Sequence, residues 1–253
     1  MSIFRHFGLN IINAFHSFIL VFRFLGHLLY SLARIISGKV SVGWPNTMEF
    51  MYYAGVRPIP SLVLICLIIG ITVSQAVYFL LQPFNMHQRI LPTVQNVLTH
   101  EILPIVIGFI LCIQMALHLI NTRLEEHHRN PADFILTHVW PIIIGMNITS
   151  LILYIYLVSS IFVSSYISFH FLFGYTNNEF LIHILNSTTT FDLIYSFGKT
   201  LILCIIVGFS ASYYYYETAV KNIPLRKAIS RILTRSSFWL IIASMYITYT
   251  FQG

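Results

Sequence analysis

The 253-residue chain is 57% hydrophobic and only 9% charged, where a soluble domain carries about 25% charged residues. Charge this scarce cannot coat an apolar core, so composition excludes an ordinary water-soluble globule and makes lipid the main solvent. The net charge of +6 comes from basic residues too dispersed for a nucleic-acid footprint.

The N-terminal segment reads as an interfacial helix rather than a cleaved signal peptide. Arg23 and Arg34 interrupt its apolar run, and no small-residue cleavage site follows. At helical periodicity His16, Arg23, His27 and Arg34 fall within about 20° of one line, with Phe, Leu, Ile and Val over most of the remainder. A narrow polar stripe on an apolar helix fits the membrane surface. A span over 7–22 would instead have to bury Asn10, Asn13 and His16. Residues 1–44 are therefore assigned to this helix and a connector, and 45–253 to a membrane domain.

Five charge-free windows follow, at 58–88, 102–122, 134–178, 200–216 and 236–253. A hydrocarbon core of about 30 Å needs about 20 helical residues, so each window supplies one span. The third is long enough for two, but Ser164, Ser165, Ser168, His170, Gly174 and Asn177 make its second half polar. It predicts a helix over 139–165 and then an interfacial segment. The fold class is an all-α integral membrane protein with five spans after the interfacial helix.

Lys and Arg distribution sets the orientation. Residues 1–57 hold Arg5, Arg23, Arg34, Lys39 and Arg57, and 217–235 hold Lys221, Arg226, Lys227, Arg231 and Arg235. The stretch 123–138 holds Arg123 and Arg129, 83–101 only Arg89, and 166–198 none. Rich and poor segments alternate as the positive-inside rule requires, with a cytoplasmic N-terminus and an external C-terminus.

That topology brings Glu101, at the outer end of the second span, to the depth of Lys199, at the outer end of the fourth. Opposite charges inside a membrane make a functional hypothesis with a named partner; both side chains snorkelling to headgroups is the alternative. Pro104 is expected in the first turn of its helix, where backbone donors lack helical partners anyway. The dispersed Cys66, Cys112 and Cys204 read as small buried hydrophobes. Of the eleven histidines only His118 lies well inside a span, so axial haem ligation lacks a matched partner. The tyrosine run at 213–216, with Tyr52 and Tyr53, fits an aromatic belt. No Walker motif or catalytic acid pair is present, so ATP hydrolysis must come from another chain.

Four segments together resemble the MlaE/YrbE family of ABC-transporter permeases. "HEILPIVIGF" (100–109) is similar to the family's Glu-Leu-Gly-Pro segment, and "DLIYSFGKTLI" (192–202) to the stretch opening the fourth span. "AISRILTRSS" (228–237) resembles the Ser-Arg-x-x-Thr-Arg element before the last span, and "YYAGVRPIPSLVLICLIIG" (52–70) matches the Gly-Val entry to the first. The resemblance implies a homodimeric or paired permease in a bacterial inner membrane. It also implies an ABC ATPase partner that binds ATP and Mg, and a periplasmic MCE-domain partner to which phospholipid passes, maintaining outer-membrane asymmetry. Glu101, Lys199, His100 and Pro104 are implied to line the lipid cavity, with Lys199 attracting a phosphate as a point charge. Arg123, Glu125, Glu126 and Arg129 fall in the segment expected to dock on the ATPase. No cofactor or metal is expected in the chain itself.

The departures lie between 112 and 139. Gln114 stands where the family has arginine, and "RLEEHHRNPADF" (123–134) is shorter than the family's coupling segment. A non-coupled scaffold of the same fold, anchoring an MCE-type partner, is thus a second reading. A haem-binding membrane protein is a third.

Overall fold

Each apolar window becomes a helix in the computed structural model, which describes residues 2–38, 43–84, 87–125, 139–221 and 223–252. The helices are α1 (Ser2–Ile36), α2 (Trp44–Met51), α3 (Ile59–Leu81), α4 (His87–Gln95) and α5 (Leu103–Glu125), followed by α6 (Trp140–Ile167), α7 (Asn177–Ser187), α8 (Thr190–Val220) and α9 (Leu225–Gln252). No strand occurs among the described residues. The all-α membrane fold is the one expected.

By length and hydropathy five segments qualify to cross a membrane: Phe18–Ile36, Trp44–Phe84, Arg89–Leu119, Trp140–Phe171 and Thr190–Thr218. The number matches expectation, but the set includes part of α1 and omits α9. The reason for the omission is that Ser, Thr and Tyr residues dilute the apolar content of α9. Its packing settles what it spans. Arg235 reaches Glu217 near the C-terminal end of α8, Trp239 donates to the Tyr214 hydroxyl, and Thr248 meets Lys199 near the other end. Thus α9 runs antiparallel beside α8, and crosses whatever α8 crosses. From residue 199 to residue 217 is about 27 Å of helix, close to the thickness of a hydrocarbon core.

In α1 the buried side chains Leu20, Phe24, Leu28 and Ser31 form one face, while Phe18, Phe22, Leu25 and Leu29 on the opposite side are exposed. Phe24 and His27 pack on Tyr213 and Tyr216. The helix therefore crosses α8 near its C-terminal end instead of pairing along it. One face on the bundle and one apolar face outward suit a helix at the membrane interface.

The stretch 83–101 between the first two windows is largely helical. A π-helical segment, Asn96–Ile102, joins α4 to α5. The third window divides as expected, with α6 ending in a second π segment, Ser168–Leu172, before α7. Thr176 caps α7: its hydroxyl accepts from the Glu179 amide and the Glu179 carboxylate accepts from the Thr176 amide. Helices α4 and α7 pack together beside the Lys199 end of the bundle.

Small residues bring α3 and α6 close together. Leu62, Cys66, Gly70 and Ser74 form a buried stripe at four-residue spacing, and Ser160, Ser164, Ser165 and Ser168 are buried near it. A Cβ at Gly70 would lie 1.8 Å from the Ser164 hydroxyl oxygen, so glycine is required there. In lipid, van der Waals packing replaces the hydrophobic drive, and small residues permit the approach. Gly108 plays the same part between α5 and α9, against Leu240. The three cysteines are buried and unpaired.

Candidate functional site

The π segment and Pro104 together prepare one end of α5 to receive α8. The Leu103 amide bonds five residues back, to Leu98. Pro104 has no amide hydrogen to offer the carbonyls four and five residues before it, those of His100 and Thr99. Both are taken by α8 instead. The Ser196 hydroxyl donates to the Thr99 carbonyl, and the Lys199 ammonium donates to the His100 carbonyl at 2.9 Å. Pro104 therefore does not sit in a first turn, as expected, but inside a continuous helical run. It is tolerated because a neighbouring helix uses the carbonyls it frees.

Lys199 completes its shell with the Glu101 carboxylate at 2.8 Å and the Thr248 hydroxyl at 2.8 Å. An ammonium has three donors, and all three are engaged. Lys199 itself is only 1% exposed, whereas the Glu101 side chain is 35% exposed. The Thr248 hydroxyl lies 3.1 and 3.2 Å from the two Glu101 oxygens as well, and 3.0 Å from the Ser244 carbonyl. One ion pair thus ties the π segment leading into α5 to α8 and α9, with its anionic side partly open.

The other two expected residues sit nearby but face inward. Pro104 is buried. The His100 ring is buried edge-on against Tyr195, and its Nε2 lies 3.8 Å from Asp192, too far for a hydrogen bond. Of the four, Glu101 alone presents a partly exposed side chain. Arg123 and Glu125 fall in the last turns of α5, and Glu126 and Arg129 lie outside the described residues.

Sequence reasoning did not single out a second charge cluster at the opposite end of α8. Glu217 is 4% exposed. Its carboxylate accepts from Lys221 at 2.7 Å and Arg235 at 3.2 Å, with Arg231 at 3.8 Å. The signal was available: Glu217 and Lys221 are four apart, as are Arg231 and Arg235, on either side of a short connection. Arg235 also lies over the Tyr214 ring. Buried acid and surrounding cations fix the turn from α8 into α9 at this end.

A cavity of about 600 Å³ also opens towards this end, between the α2–α3 junction and the last turns of α5. Gln114 and His118 line it with Glu49 and Arg57. His118 packs edge-on against Phe50 there.

The sequence matches the family described as Permease MlaE over residues 47–122 and 123–250. The chain belongs to the MlaE permease family. It is a multi-pass membrane protein and a permease subunit of an ABC-type transporter, which places it beside a partner ATPase. Its family role is that of a transport subunit. No individual curated protein shows significant similarity to this permease.

Proposed function

We propose that this permease passes phospholipid between a bacterial inner membrane and a periplasmic MCE-domain partner, powered by ATP and Mg bound in a separate ATPase. The observation that carries the reading is the buried Lys199 ammonium holding a partly open Glu101 carboxylate at one end of an MlaE-family bundle. A charge held inside a membrane protein marks a substrate path by default. The cations of 217–235 sit with Glu217 at the other end, and by the positive-inside rule that end is cytoplasmic. The Glu101 end is then periplasmic, and so is the C-terminus.

In this account Glu101 faces the headgroup in an outward-facing cavity completed by a second permease chain, with His100 and Pro104 forming its backing. Lys199 has every proton engaged, so it acts on a phosphate through its field and by holding Glu101. A switch in dimer packing, driven by the ATPase docked at 123–129, would open and close that cavity. The mechanism needs no covalent step.

Glu101→Ala and Lys199→Ala are expected to impair lipid transfer in a reconstituted system while membrane insertion is retained. Wild-type transfer by both variants would remove the site assignment. A reporter fused at the C-terminus should appear on the periplasmic side, and a cytoplasmic signal would invert the topology.

A further inference from the structure

The cavity between the α2–α3 junction and α5 is distant from the Glu101–Lys199 pair. From Glu101 to His118 is about 25 Å along the π segment and α5. Its volume of about 600 Å³ falls within the range of small-molecule sites, roughly 300–1,000 Å³. Glu49 and Arg57 face it with Asn46, Gln114, His118 and Asn121. Among the described residues neither Glu49 nor Arg57 has a side-chain hydrogen bond or ion pair. Among the described residues, a cation and an anion without charged partners therefore share one recess.

Depth and surroundings restrict what fits. Pro58 and Ser61 line the recess from the opening turn of α3, and Tyr52 and Tyr53 are exposed beside it, as aromatic residues are at headgroup level. From Ser61 an apolar strip leads down α3 into the bilayer: Leu64, Ile65 and Ile68, at helical spacings of three, four and seven, are all exposed. Leu117 on α5 lines the recess and is exposed as well. A polar recess opening onto an apolar strip matches a molecule with a charged head and acyl tails.

We propose that this recess binds the headgroup of an amine-bearing glycerophospholipid, with Arg57 on the phosphate and Glu49 on the amine. Guanidinium recognises phosphate through paired hydrogen bonds, and Glu49 disfavours headgroups whose only charge is negative. The tails lie along Leu64, Ile65 and Ile68. The recess would then be an entry or exit site in the leaflet opposite the Glu101 end. This inference rests on the lipid-transport reading for its purpose, but not for its chemistry.

The test is lipid binding to the purified full-length permease in nanodiscs of phosphatidylethanolamine and phosphatidylglycerol, alone and with its ATPase. Retained lipid is counted by native mass spectrometry after detergent release. Wild type should retain phosphatidylethanolamine preferentially. Arg57→Gln should weaken that retention about tenfold, the loss of one charge-assisted contact. Glu49→Gln should abolish the preference between the two lipids while leaving total retention intact. Unchanged retention in Arg57→Gln would overturn the proposal. So would displacement of the lipid by inorganic phosphate at equal concentration, which would identify a free-anion site. Loss of retained lipid on adding the ATPase, in wild type and Arg57→Gln alike, would make the recess a protein seat and overturn it too. Binding is read without transport, so the two readings fail separately. Transport without headgroup binding defeats this inference alone, and binding without transport defeats the lipid-transport reading alone.

Discussion

Removing either partner of the Lys199–Glu101 pair should not cost the same. Glu101→Ala leaves an ammonium that is 1% exposed with two neutral acceptors, the His100 carbonyl and the Thr248 hydroxyl. Stranding a buried charge costs roughly 3–5 kcal/mol, and water has little access to relieve it. Lys199→Met strands the opposite charge, but the Glu101 side chain is 35% exposed and keeps the Thr248 hydroxyl. Partial hydration reduces that cost to about 1–2 kcal/mol, the range for losing a charged hydrogen bond at a wet site. The double variant Glu101→Ala/Lys199→Met removes both charges, so it should be more stable than Glu101→Ala alone by about 1–2 kcal/mol. SDS-titrated unfolding in mixed micelles measures all four species. Equal losses in the single variants, or a double variant whose loss is the sum of the two, would refute the asymmetric burial on which the argument depends.

Other variants test neighbouring parts of the account. Replacing an interior helix proline by alanine ordinarily gains up to about 3 kcal/mol. Pro104→Ala should show no such gain in the same unfolding assay, because a restored amide competes with Lys199 and Ser196 for the carbonyls of His100 and Thr99. Gly70→Val should lower stability by about 1–3 kcal/mol or more through overpacking, because its Cβ would overlap the Ser164 hydroxyl; Gly70→Val/Ser164→Gly should recover part of the loss. The α7 cap should respond to acid. Hydrogen bonds from the Thr176 amide and hydroxyl hold the Glu179 carboxyl below its usual value, so its contribution is complete above about pH 4.3 and disappears as pH falls through the lowered value. Faster exchange of the Thr176 amide at pH 3, after correction for intrinsic rates, would show this, and protection unchanged by acid would count against the cap.

The spans were legible because scarcity of charge is a strong signal, and the alternation of Lys and Arg puts Glu101 and Lys199 at one depth. In the structure the two side chains are in direct contact. What the sequence could not display was the third partner. Thr248 lies far along the chain in a helix of modest hydropathy, and only the register of α9 against α8 brings it to the ammonium. The π segment was also hidden, since nothing in "NVLTHEI" distinguishes it from α-helix, and Pro104 therefore looked like a helix start. Glu217 was legible in principle from its basic neighbours at four-residue spacing, but its burial among them depends on the turn that brings α9 back beside α8. The recess at Glu49 and Arg57 arises where α2, α3 and α5 meet, so no local pattern announces it.

The most direct test of the central claim is to purify the tagged permease from its native host in mild detergent and identify proteins and lipids that accompany it by mass spectrometry. The account predicts an ABC ATPase, an MCE-domain protein and phospholipid together. An MCE-domain protein without an ATPase would favour the uncoupled scaffold, and an ATPase carrying neither the MCE-domain protein nor phospholipid would contradict the lipid-transport reading.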